Sequence, residues 1–241
     1  MAETRVAVII PTFNEAESIG DVVAAIPRDI VSRVIVADGG SVDGTADVAR
    51  GAGAEVINVG RGYGRACLAG AQAADDADIV VFMDGDGADD PAALTVMVPP
   101  IASGKYDFVI GSRARGNREP GSMASHQILA GLAAGALIGV LYGVRYTDMC
   151  AYRAMRRDTL LALGMRELTY GWNLEMQMRV ARAGLRVLEL PVPYRCRSGG
   201  ESKVGGNLRG ILRREHTHAL DSDWNQLAVC FRLGRPGGRK N

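Results

Sequence analysis

The first half of the chain alternates short apolar runs with segments of helical periodicity. Short, continuously apolar runs predict strands buried on both faces, and they are Val6–Ile10, Val34–Ala37, Glu55–Val59, Ile79–Met83 and Phe108–Ile110. Apolar residues three or four positions apart predict the helices Glu15–Ile26, Thr45–Gly51, Arg65–Ala74 and Pro91–Ala102. This alternation predicts a mostly parallel, Rossmann-like α/β sheet flanked by helices.

The second half is less regular. Its pattern predicts helices near Arg156–Leu163 and Gly171–Ala183 and strands over Met149–Arg153 and Leu185–Leu190. The uncharged stretch Ile128–Val144 carries a glycine at every fourth position and is just short of a membrane span, so we expect a buried or interfacial helix. No repeat or low-complexity linker interrupts the chain.

Charge divides the chain into two parts. The net charge of +1 gives no reason to expect nucleic-acid binding. From Arg195 onward, ten Lys and Arg residues stand against four Asp and Glu residues. We therefore expect one domain over residues 1–206 that is followed by a basic extension over residues 207–241. That extension is either a solvated, flexible end or a contact for an anionic membrane surface.

Cysteine usage and the first residues bear on location. The four cysteines are scattered without metal-ligand spacing, and the start of the chain lacks a charged-then-apolar export pattern. Both observations predict a cytoplasmic protein, either free or peripheral on the inner face of the membrane. The oligomeric state is left open, and a homo-oligomer is one alternative.

Polar or glycine-rich clusters follow each of the first four predicted strands. They are residues 11–15, 38–41, 60–65 and 84–86. Ligands of parallel sheets bind beyond the carboxyl ends of the strands. We therefore expect the four clusters to share one edge of the sheet and to form one site.

The last of these clusters suggests a metal. Asp84 and Asp86 are separated by one residue, so in an extended segment their carboxylates point to the same side. Two carboxylates suit a hard divalent cation that completes its shell with water and phosphate oxygens. Taken alone, Asp-Gly-Asp is equally typical of a plain turn.

The other clusters have alternatives too. Asp38 suits a contact to a nucleobase or ribose, or a simple turn. The run Gly60–Arg65 suits phosphate contacts through backbone N–H groups and Arg61 or Arg65. Arg113 follows a strand and suits anionic oxygens, although exposed arginines are common in loops. Asp148 and Glu175 are candidates for acid–base chemistry or for orienting an acceptor.

Taken together, the motifs resemble family 2 glycosyltransferases. The segments that carry this resemblance are residues 10–15, 38–45 and 84–86. Gly111-Ser112-Arg113, Thr147-Asp148 and Gly200–Gly206 are similar to the dolichol- or polyprenyl-phosphate sugar transferase branch, which includes dolichol-phosphate mannosyltransferase. The resemblance runs in order from about residue 5 to residue 206.

The resemblance implies an A-type glycosyltransferase fold, a GDP- or UDP-sugar donor, Mg²⁺ or Mn²⁺, and inversion at the anomeric carbon. The donor site it implies comprises Pro11, Thr12, Asn14, Glu15, Asp38, Gly39, Arg65, Asp84, Gly85 and Asp86. Asp84 and Asp86 would be the metal ligands. The phosphates would be gathered by Arg113, Arg197, Ser202 and Lys203. Catalytic roles would fall to Asp86, Asp148, Arg113 and Glu175.

Two departures leave the acceptor open. Ala88-Asp89 stands where the family often has Gln-His, and we expect it to add negative charge near the site. No membrane-spanning pattern follows Gly206, so the acceptor is either a polyprenyl phosphate or a small phosphorylated or hydroxylated molecule. A phosphate acceptor needs no strong base, whereas a hydroxyl acceptor requires a carboxylate to take its proton.

Two rival functions remain. A sugar nucleotidyltransferase would want a glycine-rich basic loop after the first strand, which Pro11–Glu15 is not. A catalytically inactive, membrane-associated binding module is disfavoured by the intact Asp84 and Asp86.

Overall fold

The fold is a seven-stranded sheet covered by helices. The computed structural model describes residues 4–199. The strands are β1 (Val6–Thr12), β2 (Arg33–Asp38), β3 (Glu55–Asn58), β4 (Ile79–Phe82), β5 (Phe108–Ser112), β6 (Arg153–Arg156) and β7 (Val187–Pro191). The helices are α1 (Ile19–Ala24), α2 (Thr45–Gly51), α3 (Tyr63–Ala73), α4 (Leu94–Ala102), α5 (Ser125–Tyr142), α6 (Arg157–Ala162) and α7 (Trp172–Arg182). A 3₁₀ turn, Pro91–Ala93, leads into α4.

The strand order is β3-β2-β1-β4-β6-β5-β7. Strands β1 to β4 pair in parallel, as do β5 and β7, whereas β6 runs antiparallel between β4 and β5. The predicted mostly parallel α/β sheet is confirmed. All strands except β6 therefore end at the same edge of the sheet, and β6 begins there at Arg153.

The core lies on both faces of the central strands. Strands β1, β4 and β5 are buried almost throughout. Beneath the β4 end, the rings of Phe82 and Trp172 pack edge to face with centroids 6.2 Å apart. Strand β3 is only half-buried, because it lies at the edge of the sheet with one neighbour. The prediction that both of its faces are covered is wrong.

Two predicted elements are corrected. The strand predicted over Met149–Arg153 is wrong, because β6 begins only at Arg153; the N–H of Met149 is bound by the Asp148 carboxylate (2.7 Å). The helix predicted from Glu15 begins at Ile19, because the preceding turn is held by side chains of the next loop. The other predicted bounds shift by at most three residues, and the helix Thr45–Gly51 has the predicted bounds.

Helix α5 has two unlike faces. A Cβ on Gly135 would lie 1.9 Å from the carbonyl oxygen of Tyr146, and one on Gly139 would lie 2.8 Å from Arg145 Cγ. The glycine stripe is therefore the inner face of the helix. Within residues 4–199, α5 alone is long and apolar enough to cross a membrane, yet only 17% of it is buried. The expectation of a buried helix is therefore wrong, and that of an interfacial helix stays a prediction.

Candidate active site

The loops after β1 and β2 are joined by hydrogen bonds. The N–H of Asn14 donates to Ser41 Oγ (2.8 Å), and Asn14 Oδ1 accepts from the N–H of Val42 (3.0 Å). The N–H of Glu15 donates to Thr45 Oγ1 (2.9 Å). Asn14 has a φ of 53°, a left-handed conformation that asparagine tolerates better than most residues. Two of the predicted clusters thus form one continuous wall, in which Pro11 and Thr12 also lie.

Asp38 is buried within its own turn. Its carboxylate accepts from the N–H groups of Gly40 (3.1 Å) and Ser41 (2.9 Å) and from the Ser41 hydroxyl. Gly39 passes so close that its N–H donates to the Thr12 carbonyl at 2.8 Å. The Asp38 side chain is only 3% exposed, and its hydrogen bonds hold the loop after β2. Its role seen in the structure is therefore to shape the wall that the first two loops form. A direct contact to a base or ribose stays a prediction.

The segment after β4 forms a tight acidic turn. The N–H of Asp84 donates to Asp89 Oδ2 (3.1 Å), and the N–H of Ala88 donates to Asp86 Oδ1 (2.9 Å). Gly85 is packed against the first strand, since a Cβ there would lie 3.0 Å from Thr12 Cγ2. The turn therefore holds Asp84 and Asp86 beside the wall built by the first two loops.

Burial shifts the titration of the carboxyl groups in this turn. Burial and the charge of Asp86 raise the pKa of Asp84 to about 6, although Arg113 and Arg197 partly offset them. Burial and the charge of Asp84 raise the pKa of Asp89 to about 8. Burial therefore favours the uncharged form of Asp89, which reduces the negative charge that this residue adds to the turn.

Arg197 lies against the buried carboxylate of Asp86. Its Nε atom is 3.0 Å from Asp86 Oδ2. The angle is not that of a hydrogen bond, so among the described residues Oδ2 has an ion pair but no hydrogen-bond donor. Asp86 is only 2% exposed, and its main-chain carbonyl accepts from the N–H of Ser198 (3.0 Å). The segment that follows β7 thus reaches the acidic turn.

The acidic turn fits a divalent cation. Within residues 4–199, no group of three or more His, Cys, Asp or Glu side chains is positioned to hold a metal ion. Asp84 and Asp86 would supply two oxygen ligands, and Asp86 Oδ2 lacks a hydrogen-bond donor among those residues. Hard cations such as Mg²⁺ take few protein carboxylates and complete their shell with water and phosphate. The residues therefore fit a metal that is shared with a phosphorylated ligand.

Arg113 and Asp148 form a two-point ion pair. Arg113 Nε and Nη2 donate to the two carboxylate oxygens of Asp148, each at 2.8 Å, and the Arg113 N–H adds a third bond of 2.8 Å. The guanidinium also lies 5.0 Å from the ring centroid of Tyr194. Burial alone would raise the pKa of Asp148, but the hydrogen bonds and charge of Arg113 outweigh it and hold that pKa below its usual value.

Glu189 on β7 was not predicted from the sequence. Its Oε1 accepts from the N–H groups of Thr147 (2.8 Å) and Asp148 (3.2 Å), and Arg115 pairs with its other oxygen at 3.7 Å. Glu189 therefore fixes the main chain that presents Asp148 to Arg113. A single glutamate in a strand pattern carries no local signal for this role.

Glu175 binds the loop that precedes its own helix. Its carboxylate accepts from the N–H groups of Arg166 (3.0 Å) and Glu167 (2.8 Å) and from Arg179 Nε (2.7 Å). This loop in turn accepts from the N–H groups of Gly64 and Arg65 at the start of α3. Glu175 thus supports the third cluster from behind, and its predicted catalytic role stays a prediction.

The third cluster differs from the phosphate loop considered above. The N–H groups of Gly64 and Arg65 are already bound to the carbonyls of Thr169 (3.2 Å) and Leu168 (2.9 Å). They are therefore not available to a phosphate. The side chain of Arg65 is exposed, and Arg61 stacks on Phe13 at 4.2 Å from its ring centroid. An anion contact through Arg61 or Arg65 stays a prediction.

The structure describes only some of the phosphate-binding residues that were predicted near the carboxyl end of the chain. Arg197 lies at the acidic turn, whereas Ser202, Lys203 and residues 207–241 lie outside the described residues.

The buried Arg153 was also not predicted from the sequence. It begins β6 and donates to the carbonyls of Cys150 and Asn173 (3.0 Å). An arginine in a short apolar strand gives no sign in the sequence that it is buried.

Comparison with known proteins identifies the family. The family model described as Glycosyl transferase family 2 matches residues 7–164. The chain belongs to this family. The family domain therefore runs from the first strand through the acidic turn and the Arg113–Asp148 pair to α6.

Three known proteins illustrate the similarity of this family 2 chain. An uncharacterized glycosyltransferase of Mycobacterium tuberculosis is 38% identical over 215 residues, which cover 88% of this chain and 95% of the relative. The undecaprenyl-phosphate mannosyltransferase of Micrococcus luteus is 34% identical over 223 residues, 86% and 90% of the two chains. Glucosyl-3-phosphoglycerate synthase of M. tuberculosis, crystallised with Mn²⁺, UDP-glucose and phosphoglyceric acid, superposes with a TM-score of 0.64 at 24% identity. The superposition covers 84% of this chain and 74% of the synthase chain. The predicted A-type glycosyltransferase fold is confirmed.

Proposed function

We propose that this family 2 glycosyltransferase moves a sugar from a GDP- or UDP-sugar to a polyprenyl phosphate, with inversion at C1. One observation carries the proposal: the Arg113 guanidinium, oriented by both oxygens of Asp148, follows β5 at the same edge of the sheet at which Asp84 and Asp86 follow β4. A fixed arginine suits a phosphate, and paired carboxylates suit the metal of a diphosphate. Residues 1–206 would form the catalytic domain, and residues 207–241 a basic extension.

The donor would lie along the wall built by the first two loops. Thr12, Asn14 and Glu15 would line the nucleoside, and Asp84 and Asp86 would hold Mg²⁺ or Mn²⁺. When bound, the ion supplies charge neutralisation for the departing diphosphate. Support comes from the same fold, which in glucosyl-3-phosphoglycerate synthase was crystallised with Mn²⁺ and UDP-glucose.

The acceptor would be an anion that needs no general base. Both Asp148 oxygens accept hydrogen bonds from Arg113, and the pKa of Asp148 lies below its usual value, so this carboxylate is a poor proton acceptor. A phosphate oxygen of the acceptor would attack C1 of the sugar. The bond between C1 and the donor phosphate oxygen breaks, and the nucleoside diphosphate leaves. This chemistry favours a phosphate over a hydroxyl acceptor.

Two kinds of acceptor share this chemistry. The relative named undecaprenyl-phosphate mannosyltransferase, 34% identical, favours a polyprenyl phosphate. The fold neighbour crystallised with phosphoglyceric acid supports a small phosphorylated acceptor as the second candidate. A polyprenyl phosphate resides in a bilayer, so the first candidate also requires peripheral contact with a membrane, in our proposal its cytoplasmic face.

A transfer assay tests the proposal. Radiolabelled GDP- and UDP-sugars are offered with Mn²⁺ to undecaprenyl phosphate in detergent micelles, to phosphoglyceric acid and to a non-phosphorylated alcohol. We expect transfer to the lipid phosphate with one of the two donors. Asp86→Asn should lower the rate by at least about 100-fold, because the diphosphate charge is no longer neutralised. The matched control is Asp158→Asn, whose side chain is 98% exposed.

Three results would reject this function. Transfer that proceeds equally well in a metal chelator would exclude the metal-dependent route. Transfer to the alcohol alone would exclude the base-free phosphate acceptor. Absence of both transfer and donor hydrolysis, with donor still bound, would identify a binding module.

A further inference from the structure

The outward face of α5 is apolar from Ile128 onward, after an exposed polar first turn of Ser125, His126 and Gln127. The helix has 18 residues, none of them Asp, Glu, Lys or Arg, and therefore extends for about 27 Å. Val140 is 83% exposed and Leu129 is 68% exposed. The other exposed large side chains on this helix are Leu132, Leu137 and Leu141. Monomeric soluble proteins rarely leave an apolar patch of this extent uncovered.

The fold holds this apolar face outward. Gly135 and Gly139 pack directly on Tyr146 and Arg145, which leaves no room to turn the helix about its axis. The segment behind is fixed in turn, because Tyr146 Oη donates to the Gln177 carbonyl (3.3 Å) and Gln177 Nε2 donates to the Asp148 carbonyl (2.9 Å). The glycine stripe therefore packs on the rest of the protein, and the opposite, apolar face is the one that is left exposed.

The helix also adjoins the proposed acceptor site. A Cβ on Gly131 would lie 3.7 Å from Asp148 Oδ1, so the first half of α5 packs beside the Arg113–Asp148 pair. A cavity of about 360 Å³ is lined by residues 116–123, which precede the helix, and by Ile128 near its start. The inner, glycine face of α5 thus lies beside the place where an acceptor phosphate would bind, while the apolar face points outward.

Cationic side chains lie at both ends of the helix. Between residues 113 and 148 the sequence has four arginines, one glutamate and one aspartate, and Arg113 and Arg115 pair with Asp148 and Glu189. Exposed Arg115 and Arg118 precede the helix, and exposed Arg145 follows it. The glutamate, Glu119, accepts from the N–H of Cys196 (2.7 Å). An apolar helix flanked by cations is complementary to an anionic lipid surface.

From these observations we infer that α5 docks this protein on an anionic membrane, its leucine and valine face inserted among the lipids and its glycine face on the protein. The inference rests on the proposed function, since a lipid acceptor is what makes a membrane the partner of this site. The acceptor phosphate then enters beside the start of α5, next to Arg113.

Vesicle co-sedimentation of the full chain tests the inference. We expect sedimentation with phosphatidylcholine vesicles that contain phosphatidylglycerol, and much less with phosphatidylcholine alone. The double variant Leu129→Glu/Val140→Glu should weaken binding by roughly tenfold or more, because two buried charges oppose insertion. Val96→Glu on α4, at a valine that is 54% exposed, should bind as the unchanged protein does.

A gain-of-binding variant excludes misfolding as the explanation. Val140→Trp places an interfacial side chain on the same face and should strengthen sedimentation. Equal binding of the double variant and the unchanged protein would overturn the inference. So would an α5-dependent dimer, seen by analytical ultracentrifugation, that does not bind vesicles.

The acceptor proposal is tested separately in detergent. In detergent, the double variant should still transfer sugar to micellar undecaprenyl phosphate, because the protein reaches this acceptor without docking on a bilayer through α5. Loss of vesicle binding with retained micellar transfer supports the docking surface. Absence of micellar transfer by the unchanged protein would reject the lipid acceptor whatever the vesicles show.

Discussion

The Arg113–Asp148 pair is the interaction at the residue scale that most constrains the site. Asp148 is 3% exposed, so replacing it with asparagine leaves the Arg113 charge poorly compensated. We expect Asp148→Asn to lower the free energy of unfolding at pH 7 by about 2–4 kcal/mol. The pKa of Asp148 in the folded protein lies below its usual value near 3.9, so its contribution is complete at neutral pH. It is lost as the pH falls below about 4.

Urea unfolding of both proteins at pH 7, pH 5 and pH 3.5 measures this difference. The difference in the free energy of unfolding between the two proteins should be equal at pH 7 and pH 5 and should be smaller at pH 3.5. Asp158→Asn, at an exposed aspartate on α6, should show little difference at any pH. A gap that widens as the pH falls would contradict the assignment.

At the scale of elements, the glycine face of α5 fixes the segment that carries Asp148. Alanine normally stabilises a helix relative to glycine. At Gly135 the new Cβ would lie 1.9 Å from the carbonyl oxygen of Tyr146, so helix and segment must separate. We expect Gly135→Ala to destabilise the protein by about 2–4 kcal/mol.

The matched control is Gly51→Ala at the end of α2, where a Cβ would meet nothing within 4 Å. That variant should be neutral or more stable by up to about 1 kcal/mol. Thermal unfolding of both variants checks the pair. A stabilised Gly135→Ala would show that α5 does not pack on Tyr146 as described.

For the whole molecule, local pattern predicted the parallel half of the sheet well. Continuous apolar runs mark buried strands, and polar clusters after them mark the binding edge, as Asp84 and Asp86 after β4 illustrate. Pairing between distant segments has no local signal, so the antiparallel insertion of β6 between β4 and β5 was not predictable. The hydrogen bonds by which Glu189 holds the main chain at Asp148 also join distant segments, so they were not predictable either.

Sequence alone also did not reveal the surroundings of single side chains. Asp38 was a candidate for a nucleoside contact or a simple turn, and Glu175 was a candidate for a catalytic role; the carboxylates of both hold main-chain N–H groups of the protein itself. Asp89 was expected to add charge, whereas its burial raises its pKa to about 8. Burial depends on the packing of distant segments, so residue type and spacing do not reveal it.

The central claim is that Asp84 and Asp86 bind a divalent metal together with a nucleoside diphosphate. Thermal shift with GDP and with UDP, each with and without Mn²⁺, tests it most directly, because a ligand of the folded state raises apparent stability. We predict that one nucleotide raises the midpoint by about 5–10 °C at roughly a hundredfold excess over its dissociation constant. The rise should require Mn²⁺ and vanish in Asp86→Asn. No shift with either nucleotide, or an equal shift in Asp86→Asn, would contradict the account.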